Sequence, residues 1–242
     1  LDDRSDKPWS EYLKGALDLM IALAVAVMYL KANENTVFLL ILGKEIVIPE
    51  ILFGLLIVIL VWTSINVTNC TDGVDGLSST LVLIGLITLG SIFYFILGHK
   101  DIAEYLLVPH IANGASWAVI IFSLCGVLTG YLWHNAFPSK CLMGDAGSRA
   151  LGFFIGVCVM VSGNPFLILA TSSIIFVNGG MGLLKVFLLR FFKIKIFETI
   201  RFPLHDHMRK NRGWSPTQVL IKFMIMQLLI TCVLVGILFK IR

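Results

Sequence analysis

Charged residues are scarce in this 242-residue sequence: Asp, Glu, Lys and Arg make up 14% of it, whereas apolar residues make up 57%. Soluble domains carry about 25% charged residues. The sequence also lacks any two cysteines at C-x-x-C spacing, an internal repeat and a signal-peptide pattern. These absences disfavour a soluble domain and a disulfide framework. A lipid bilayer is the solvent that suits such a composition.

Seven apolar spans follow one another along the chain and predict transmembrane helices, because a backbone in lipid must satisfy its own hydrogen bonds. All but the fifth have a spanning length, and the fifth is interpreted as a short span buried among its neighbours. A run of Asn178, Gly179 and Gly180, followed by Gly182, predicts a kink in the sixth span. The spans cover approximately residues 12–31, 51–66, 78–97, 115–132, 150–162, 166–192 and 218–239.

We therefore predict an all-α polytopic membrane protein in which residues 1–242 form a single domain. Residues 36–48, with Gly43 and Lys44 in the middle, predict a small β-hairpin on the outer, periplasmic side. Residues 101–108 predict a short surface helix. Lys and Arg are concentrated before the first span and in residues 134–149 and 191–216. Because cytoplasmic loops carry this excess, those segments and loop 66–78 are predicted to lie inside and the C-terminus outside.

Aspartates are concentrated on the same predicted inner side, and the rule for Lys and Arg does not explain them. In proteins Mg²⁺ takes hard oxygen ligands, commonly one or two carboxylates together with substrate phosphates. Any single Asp can be a solvated loop charge, but the set predicts a magnesium site for a phosphorylated substrate. Seven of the nine aspartates belong to it: Asp2, Asp3, Asp6, Asp72, Asp75, Asp145 and Asp206.

The first two inner segments are acidic. The N-terminal one has a D-D-x-x-D pattern, a modest signal that also occurs in enzymes binding prenyl diphosphates through Mg²⁺. Residues 66–76 place Asn69, Asp72 and Asp75 at three-residue spacing, which predicts that they share one face of a helical turn. The glycines of that segment favour a tight turn whose amides and carboxylates converge on a ligand.

The other two inner segments complete the candidate chemistry. Asp145 lies between Gly144 and Gly147, which let the backbone approach a ligand. His205, Asp206 and His207 precede a run of cations. Zinc is disfavoured there because such sites need three or four ligands. Histidines beside cations suit a diphosphate or a lipid phosphate better.

Together the four motifs resemble those of the polyprenyl-phosphate hexosamine-1-phosphate transferase superfamily, in their order and in their placement between spans. The resemblance covers essentially all of the chain. Members have ten membrane helices, so it implies that this chain corresponds to the last seven and that about three upstream helices are absent. The resemblance is carried by Leu1-Asp2-Asp3, Asn69-x-Thr71-Asp72-Gly73-x-Asp75-Gly76, Met143-Gly144-Asp145-x-Gly147-Ser148, Pro203-Leu204-His205-x-His207 and Gly213-Trp214.

The resemblance implies an Mg²⁺-dependent enzyme of the bacterial inner membrane that joins a UDP-sugar to undecaprenyl phosphate and releases UMP. It is closest to the branch whose donor is UDP-MurNAc-pentapeptide and whose product is lipid I. It implies membrane lipid and no nucleic acid as partners. A homodimer paired through apolar faces stays open, and so does the choice between direct attack and an aspartyl-phosphate intermediate.

Residue roles also follow from the resemblance. Asp145 would be the Mg²⁺ ligand, and Asp2 would be the base or phosphate-activating residue with Asp3 beside it. The other implied roles are ordering of the site for Asn69, Asp72 and Asn135, contact with uridine for Gly73–Asp75, and contact with the diphosphate and sugar for His205 and His207.

Two positions differ from the residues that are usual in the superfamily. Asp206 stands in the middle of a triplet that is usually His-His-His, and it adds a carboxylate near the phosphates. Leu142 stands where many members carry an aromatic residue that stacks on uracil, so the nucleobase contact is expected to differ. Both are kept as candidate substrate-binding residues.

Three alternatives stay open. One is the sister branch that transfers GlcNAc-1-phosphate, and another is an intramembrane prenyltransferase built on the D-D-x-x-D pattern. The third is a transporter, which would place ionisable groups near the bilayer midplane. Apart from the first and last three residues of each predicted span, the only charged residues within the spans are Asp18, Lys185 and Lys222. Asp18 and Lys222 lie near inner ends, which disfavours transport.

Overall fold

The computed structural model describes residues 9–39 and 43–240, and it is predominantly helical. Within these residues, seven helices are long and apolar enough to cross a membrane. Two short helices, Lys100–Tyr105 (α4) and Leu204–Lys210 (α8), lie between them. The predicted all-α fold with seven spans and a short helix near residues 101–108 is therefore confirmed. The seven are Glu11–Ala32 (α1), Glu50–Thr71 (α2), Leu77–Leu97 (α3), Gly114–Asn135 (α5), Gly144–Val161 (α6), Leu167–Phe192 (α7) and Pro216–Lys240 (α9).

Two helices differ from the predicted spans at the ends that carry candidate site residues. Helix α6 begins at Gly144 and has 18 residues, so the prediction of a short fifth span is wrong. Helix α2 continues to Thr71, five residues beyond the predicted end. The polar residues in these extra turns bond to one another across the two helices, so their polarity does not end the helices. Asn69 and Asp145 consequently stand on helices rather than in loops.

The predicted hairpin is present. Strands Thr36–Leu39 (β1) and Lys44–Val47 (β2) pair antiparallel, with Thr36 opposite Val47. Val37 is buried, and the backbone amide of Phe38 donates to the carbonyl oxygen of Gly163 at 3.2 Å. The hairpin is thus fixed against the end of α6.

Helix α2 is the centre of the bundle, with α1 and α6 packed along it. Gly152 and Gly156 face it from α6, and a β-carbon on Gly152 would overlap the carbonyl oxygen of Ser64. Small residues four apart let two membrane helices approach closely. The Ser64 hydroxyl uses this closeness to donate to the Gly152 carbonyl at 2.7 Å. The close contact fixes the end of α2 beside the start of α6.

Helix α7 is kinked, as predicted. Residues Phe176–Gly180 form a π-helical segment, and Ser172 has non-helical torsion angles (φ −138°, ψ 21°). Side chains of α9 satisfy the backbone groups that the kink releases: Gln227 Oε1 accepts from the Ile174 amide at 2.8 Å, and the Thr231 hydroxyl donates to the Ala170 carbonyl at 2.7 Å. Neighbouring side chains commonly stabilise broken membrane helices in this way.

The up-and-down course of the chain brings three connections to one end of the bundle, here named the site end. They are residues 72–76, 136–143 and 193–203. The hairpin and α4 lie at the opposite end, beyond the other ends of the same helices. The inner segments that the sequence singled out therefore meet at one end, as far as the structure describes them.

Candidate active site

Asp145 is the centre of a hydrogen-bonded cluster at the site end. It lies in the first turn of α6, where the helix dipole favours a carboxylate. The Asn69 amide nitrogen donates to Asp145 Oδ1 at 3.0 Å and to the Ser148 hydroxyl at 3.0 Å. Lys14 Nζ donates to Asp145 Oδ2 at 2.7 Å. Groups from α1, α2 and α6 thus fix the orientation of one carboxylate.

Arg149 lies one helical turn beyond Asp145 and joins the same cluster. Its Nη1 pairs with Asp18 Oδ2, and its Nη2 donates to Asn69 Oδ1 at 3.2 Å and lies 3.8 Å from Asp145 Oδ2. The sequence motifs did not indicate a site role for Arg149, Asp18 or Lys14. Asp18 carried a signal, because an acidic residue inside an apolar span needs a cationic partner. Nothing in the sequence singled out Lys14.

A cavity between α1, α2 and α6 opens beside this cluster. Its charged wall consists of Lys14, Asp18, Asp145 and Arg149. The rest of its lining is mainly apolar: Trp9, Leu17, Ile21, Ile65, Ala146, Ala150 and Phe153. The cavity therefore suits a ligand that carries a charged group at one end of an apolar chain.

Asp72 follows directly on α2, but not as part of it. Its torsion angles (φ −81°, ψ 68°) are non-helical, so the prediction that Asn69, Asp72 and Asp75 share a face of one helical turn is wrong. The helix ends because the Asp72 amide bonds to the Asn69 carbonyl in a tight turn at 3.1 Å. Burial raises the pKa of Asp72 to about 6, and the negative charge of Asp145 adds to the increase. The two carboxylates are therefore close enough to interact electrostatically.

Asp75 and Asn135 connect two of the site-end loops. Asp75 Oδ2 accepts from the Ser139 amide at 3.1 Å. Asn135 Oδ1 accepts from the Gly76 amide at 2.9 Å, and its Nδ2 donates to the Cys141 carbonyl at 2.7 Å. The buried Asn135 side chain thus ties residues 72–76 to residues 136–143, in keeping with the ordering role that the resemblance implies for it.

His205 is buried at the start of α8. Its backbone amide donates to Asn178 Oδ1 at 2.8 Å, and its Nδ1 lies 3.1 Å from Asn178 Nδ2. Its ring is packed against Gly73, where a β-carbon would overlap Nε2. Burial lowers the pKa of His205 to about 4, so the imidazole is neutral at pH 7. The sequence around Asn178 predicted only a kink and did not indicate that Asn178 is a partner of His205.

The next two residues of α8 are more exposed. Asp206 Oδ2 accepts from Lys210 Nζ at 3.1 Å and lies 3.3 Å from Arg201 Nε. Partial burial would raise the pKa of Asp206, but the hydrogen bond and charge of Lys210, with His205 and Arg201, lower it overall. His207 Nδ1 accepts from the Arg201 amide at 3.3 Å. These contacts place the cations of the basic loop around the triplet.

Three candidate positions stand apart from these contacts. Leu142 is 79% exposed, so its side chain is available to a ligand and makes little contact within the protein. Asp2 and Asp3, with Asp6, lie outside the described residues. The roles of Asp2 and Asp3 therefore remain predictions from the sequence.

Magnesium fits the donor set at the site end. Among residues 9–39 and 43–240, no three acidic, His or Cys side chains converge as a ready metal cage. Mg²⁺ does not need one, because it is usually bound through one or two carboxylates, several waters and substrate phosphates. Asp145 keeps 39% of its side chain exposed, and Asp72 directly follows the helix whose Asn69 donates to Asp145. Asp145 is therefore the residue that would hold the ion.

The amino-acid sequence matches known proteins along its whole length. A family model described as glycosyl transferase family 4 matches residues 1–163. A phospho-N-acetylmuramoyl-pentapeptide-transferase of Treponema pallidum (strain Nichols) is 56% identical over 246 residues, which cover all of this chain and 68% of the relative. Relatives of the same name from Neisseria meningitidis serogroup C (strain 053442) and Campylobacter hominis are each 32% identical. They match 89% and 88% of this chain, and 59% of each relative is covered. The chain therefore belongs to glycosyl transferase family 4, and within it to the phospho-N-acetylmuramoyl-pentapeptide-transferases.

Proposed function

We propose that this protein transfers phospho-MurNAc-pentapeptide from UDP-MurNAc-pentapeptide to undecaprenyl phosphate, forming lipid I and releasing UMP. The observation that carries the proposal is the convergence of Asn69, Asp72 and Asp145 with His205 at one end of a membrane-type bundle. The names of its relatives support the choice of the muramoyl donor over GlcNAc. In the reaction an oxygen of the acceptor phosphate forms a bond to the sugar-linked phosphorus. The bond to the bridging oxygen breaks, and UMP leaves with the electron pair.

Asp145 would hold the Mg²⁺ ion, and Asp72 would order the site. When bound, the ion would offset negative charge on the diphosphate and on the leaving UMP. Asn69 keeps one carboxylate oxygen of Asp145 in a fixed direction, and Lys14 adds a positive charge at the other. Such preorganisation is the main contribution of a protein to phosphoryl transfer, because the groups need no rearrangement as charge develops.

The remaining residues of the site suit binding roles. His205 is neutral and held by Asn178, so it is a hydrogen-bonding group rather than a cation. Arg201 and Lys210, which both pair with Asp206, would supply positive charge for a diphosphate. Asp2, as the base or phosphate-activating residue, completes the proposal on the strength of the resemblance.

A lipid acceptor requires a site at the membrane surface. The cavity between α1, α2 and α6 has charged groups at one wall and apolar residues along the rest, which suits a phosphate on an isoprenoid chain. The excess of Lys and Arg at the site end supports a cytoplasmic active site in the bacterial inner membrane. In that orientation α9 carries the C-terminus to the outer side.

The decisive experiment measures release of radiolabelled UMP by the full-length protein in detergent with undecaprenyl phosphate and Mg²⁺. Parallel reactions contain UDP-MurNAc-pentapeptide or UDP-GlcNAc. We expect UMP and a lipid-linked product with the muramoyl donor only, and loss of both when EDTA removes the metal. Turnover of UDP-GlcNAc alone would favour the sister branch, and no UMP release from either donor would contradict the proposal.

A further inference from the structure

We propose that Asp18 and Arg149 form a positioning pair, which sets the amide orientation of Asn69 and through it the direction of the Asp145 carboxylate. The inference rests on the proposed function, because its effect is on the transfer reaction. Neither Asp18 nor Arg149 belongs to the motifs from which the family resemblance was built. The inference follows from the contacts between α1, α2 and α6.

An asparagine amide has an acceptor end and a donor end, and its neighbours decide which way it faces. Arg149 offers only N–H donors, so it fixes Oδ1 of Asn69 on its own side. Ser148 donates its hydroxyl proton to the Gly144 carbonyl at 2.9 Å, so its oxygen accepts from Asn69 Nδ2. The NH₂ group is therefore directed at Asp145 Oδ1. A flipped amide would place its oxygen against the carboxylate, which is repulsive.

Asp18 is needed to hold Arg149 in the position from which it fixes the Asn69 amide. The side chains of Arg149 and Asp18 are 14% and 6% exposed, and an unpaired guanidinium would be strongly disfavoured at such burial. Arg149 Nη2 also lies 3.9 Å from Glu11 Oε2 and 3.8 Å from Asp145 Oδ2, but both distances exceed that of a hydrogen bond. The planar fork of Arg149 lets Nη1 bind Asp18 while Nη2 reaches Asn69. Lysine has a single nitrogen on a flexible chain and does not reproduce this fork. The pair thus holds a cation in place without using the carboxylate of Asp145 as its main partner.

Stability alone does not require a charged pair here. Replacing a buried ion pair by packed apolar residues is often neutral for folding, whereas removing one partner leaves an uncompensated charge. The double variant Asp18→Leu/Arg149→Met therefore tests orientation separately from packing. The variant Arg149→Lys keeps a cation next to Asp18 but loses the second arm of the fork. As a matched control, Tyr29→Phe removes another contact between α1 and α6, the hydrogen bond from the Tyr29 hydroxyl to the Met160 carbonyl at 3.0 Å.

The test measures kcat and KM for UMP release, with thermal unfolding in the same detergent. We expect kcat to fall by about tenfold or more in the double variant and in Arg149→Lys. The KM for the nucleotide donor should change by less than about threefold, because the cavity wall that contains the two residues is assigned to the lipid acceptor and not to the donor. Tyr29→Phe should match the wild type in both constants.

A folded double variant, or a folded Arg149→Lys variant, with kcat within about twofold of wild type would overturn the inference. If the double variant does not fold, Arg149→Lys and Asp18→Asn decide the outcome on the same criterion. Absence of UMP release from the wild-type protein would instead contradict the proposed function. Loss of kcat in Tyr29→Phe to the same degree would also overturn the inference, since any weakened α1–α6 contact would then suffice.

Discussion

The imidazole of His205 is packed against the α-carbon of Gly73, so that residue 73 has no room for a side chain. A β-carbon there would overlap Nε2 and touch Cε1 at 3.0 Å. Asn178 holds the histidine at its backbone amide and at Nδ1, so the ring is not free to swing away. The contact joins the loop after α2 to α8, two segments far apart in the chain.

Gly73→Ala is expected to displace the His205 ring and to lower kcat by about tenfold or more, because positioning errors at a reacting centre are costly. The added methyl group meets a fixed ring rather than open space. Gly130→Ala is the matched control, since a β-carbon on Gly130 meets nothing within 4 Å. Steady-state UMP release by both variants checks the prediction, and equal activity of Gly73→Ala and wild type would contradict it.

The sequence predicted most of the architecture because the membrane constrains it strongly. Apolar spans, the hairpin around Gly43 and the kink in α7 each follow from local composition. Helix ends at the site were harder to predict. Asn69 and Asp145 belong to helices because their polar groups bond across α2 and α6, and a partner in a distant segment leaves no mark on the local pattern.

The candidate site, like the fold, could be predicted only in part. The motifs identified the acidic residues and histidines that meet at the site end, but not the side chains that hold them. Lys14 binds Asp145, Arg149 binds Asn69, and Asn178 binds His205. All three contacts depend on the packing of the bundle. The conformation at Asp72 also depended on where α2 stops, which the even spacing of polar residues did not indicate.

Asp145→Asn is expected to abolish turnover while leaving the fold intact. The change removes the charge that would bind Mg²⁺ and keeps the shape of the side chain. The Lys14 side chain is only 12% exposed, but it keeps Glu11 Oε1 at 3.4 Å, so the loss of stability should be about 2 kcal/mol. Asp101→Asn, in the exposed part of α4 at the opposite end, serves as the control. Wild-type UMP release by purified Asp145→Asn would refute the assignment.

The raised pKa of Asp72 leads us to expect that the reaction depends on pH. Burial, and then the charge of Asp145, raise the pKa of Asp72 to about 6, so the carboxylate loses its proton as the pH rises through that value. If the ionised form orders the site, kcat/KM should rise between about pH 5 and pH 7. His205, with a pKa of about 4, does not titrate in that range. The acid limb should become shallower in Asp72→Asn, because the acceptor phosphate, whose second pKa is about 6, still titrates between those pH values.

As the pH rises through the raised pKa of Asp72, the fold becomes less stable, whereas the enzyme is expected to become more active. A carboxyl whose pKa is higher in the folded than in the unfolded protein stabilises the fold below its unfolded value near 3.8, and this contribution is lost as the pH rises through about 6. Asp72→Asn should therefore be more stable than wild type at pH 7, by on the order of 2 kcal/mol. Thermal unfolding of the variant and the wild type at pH 5 and pH 7 measures this difference in stability. A variant that is less stable than the wild type at pH 7 would contradict the expectation.

Asp206 is expected to moderate the positive charge around the histidine triplet. Its carboxylate lies 3.1 Å from Lys210 Nζ and 3.3 Å from Arg201 Nε, and Asp206→Asn would leave both cations without it. The KM for the nucleotide donor should then fall by about twofold to threefold at low salt, and the difference should shrink as salt is added. Stability should change by less than about 1 kcal/mol, since the two cations are exposed. Glu104→Gln, which breaks the exposed pair with Lys100 at the opposite end, is the control. A KM that rises in Asp206→Asn would show that this carboxylate helps to bind the donor instead of weakening its attraction.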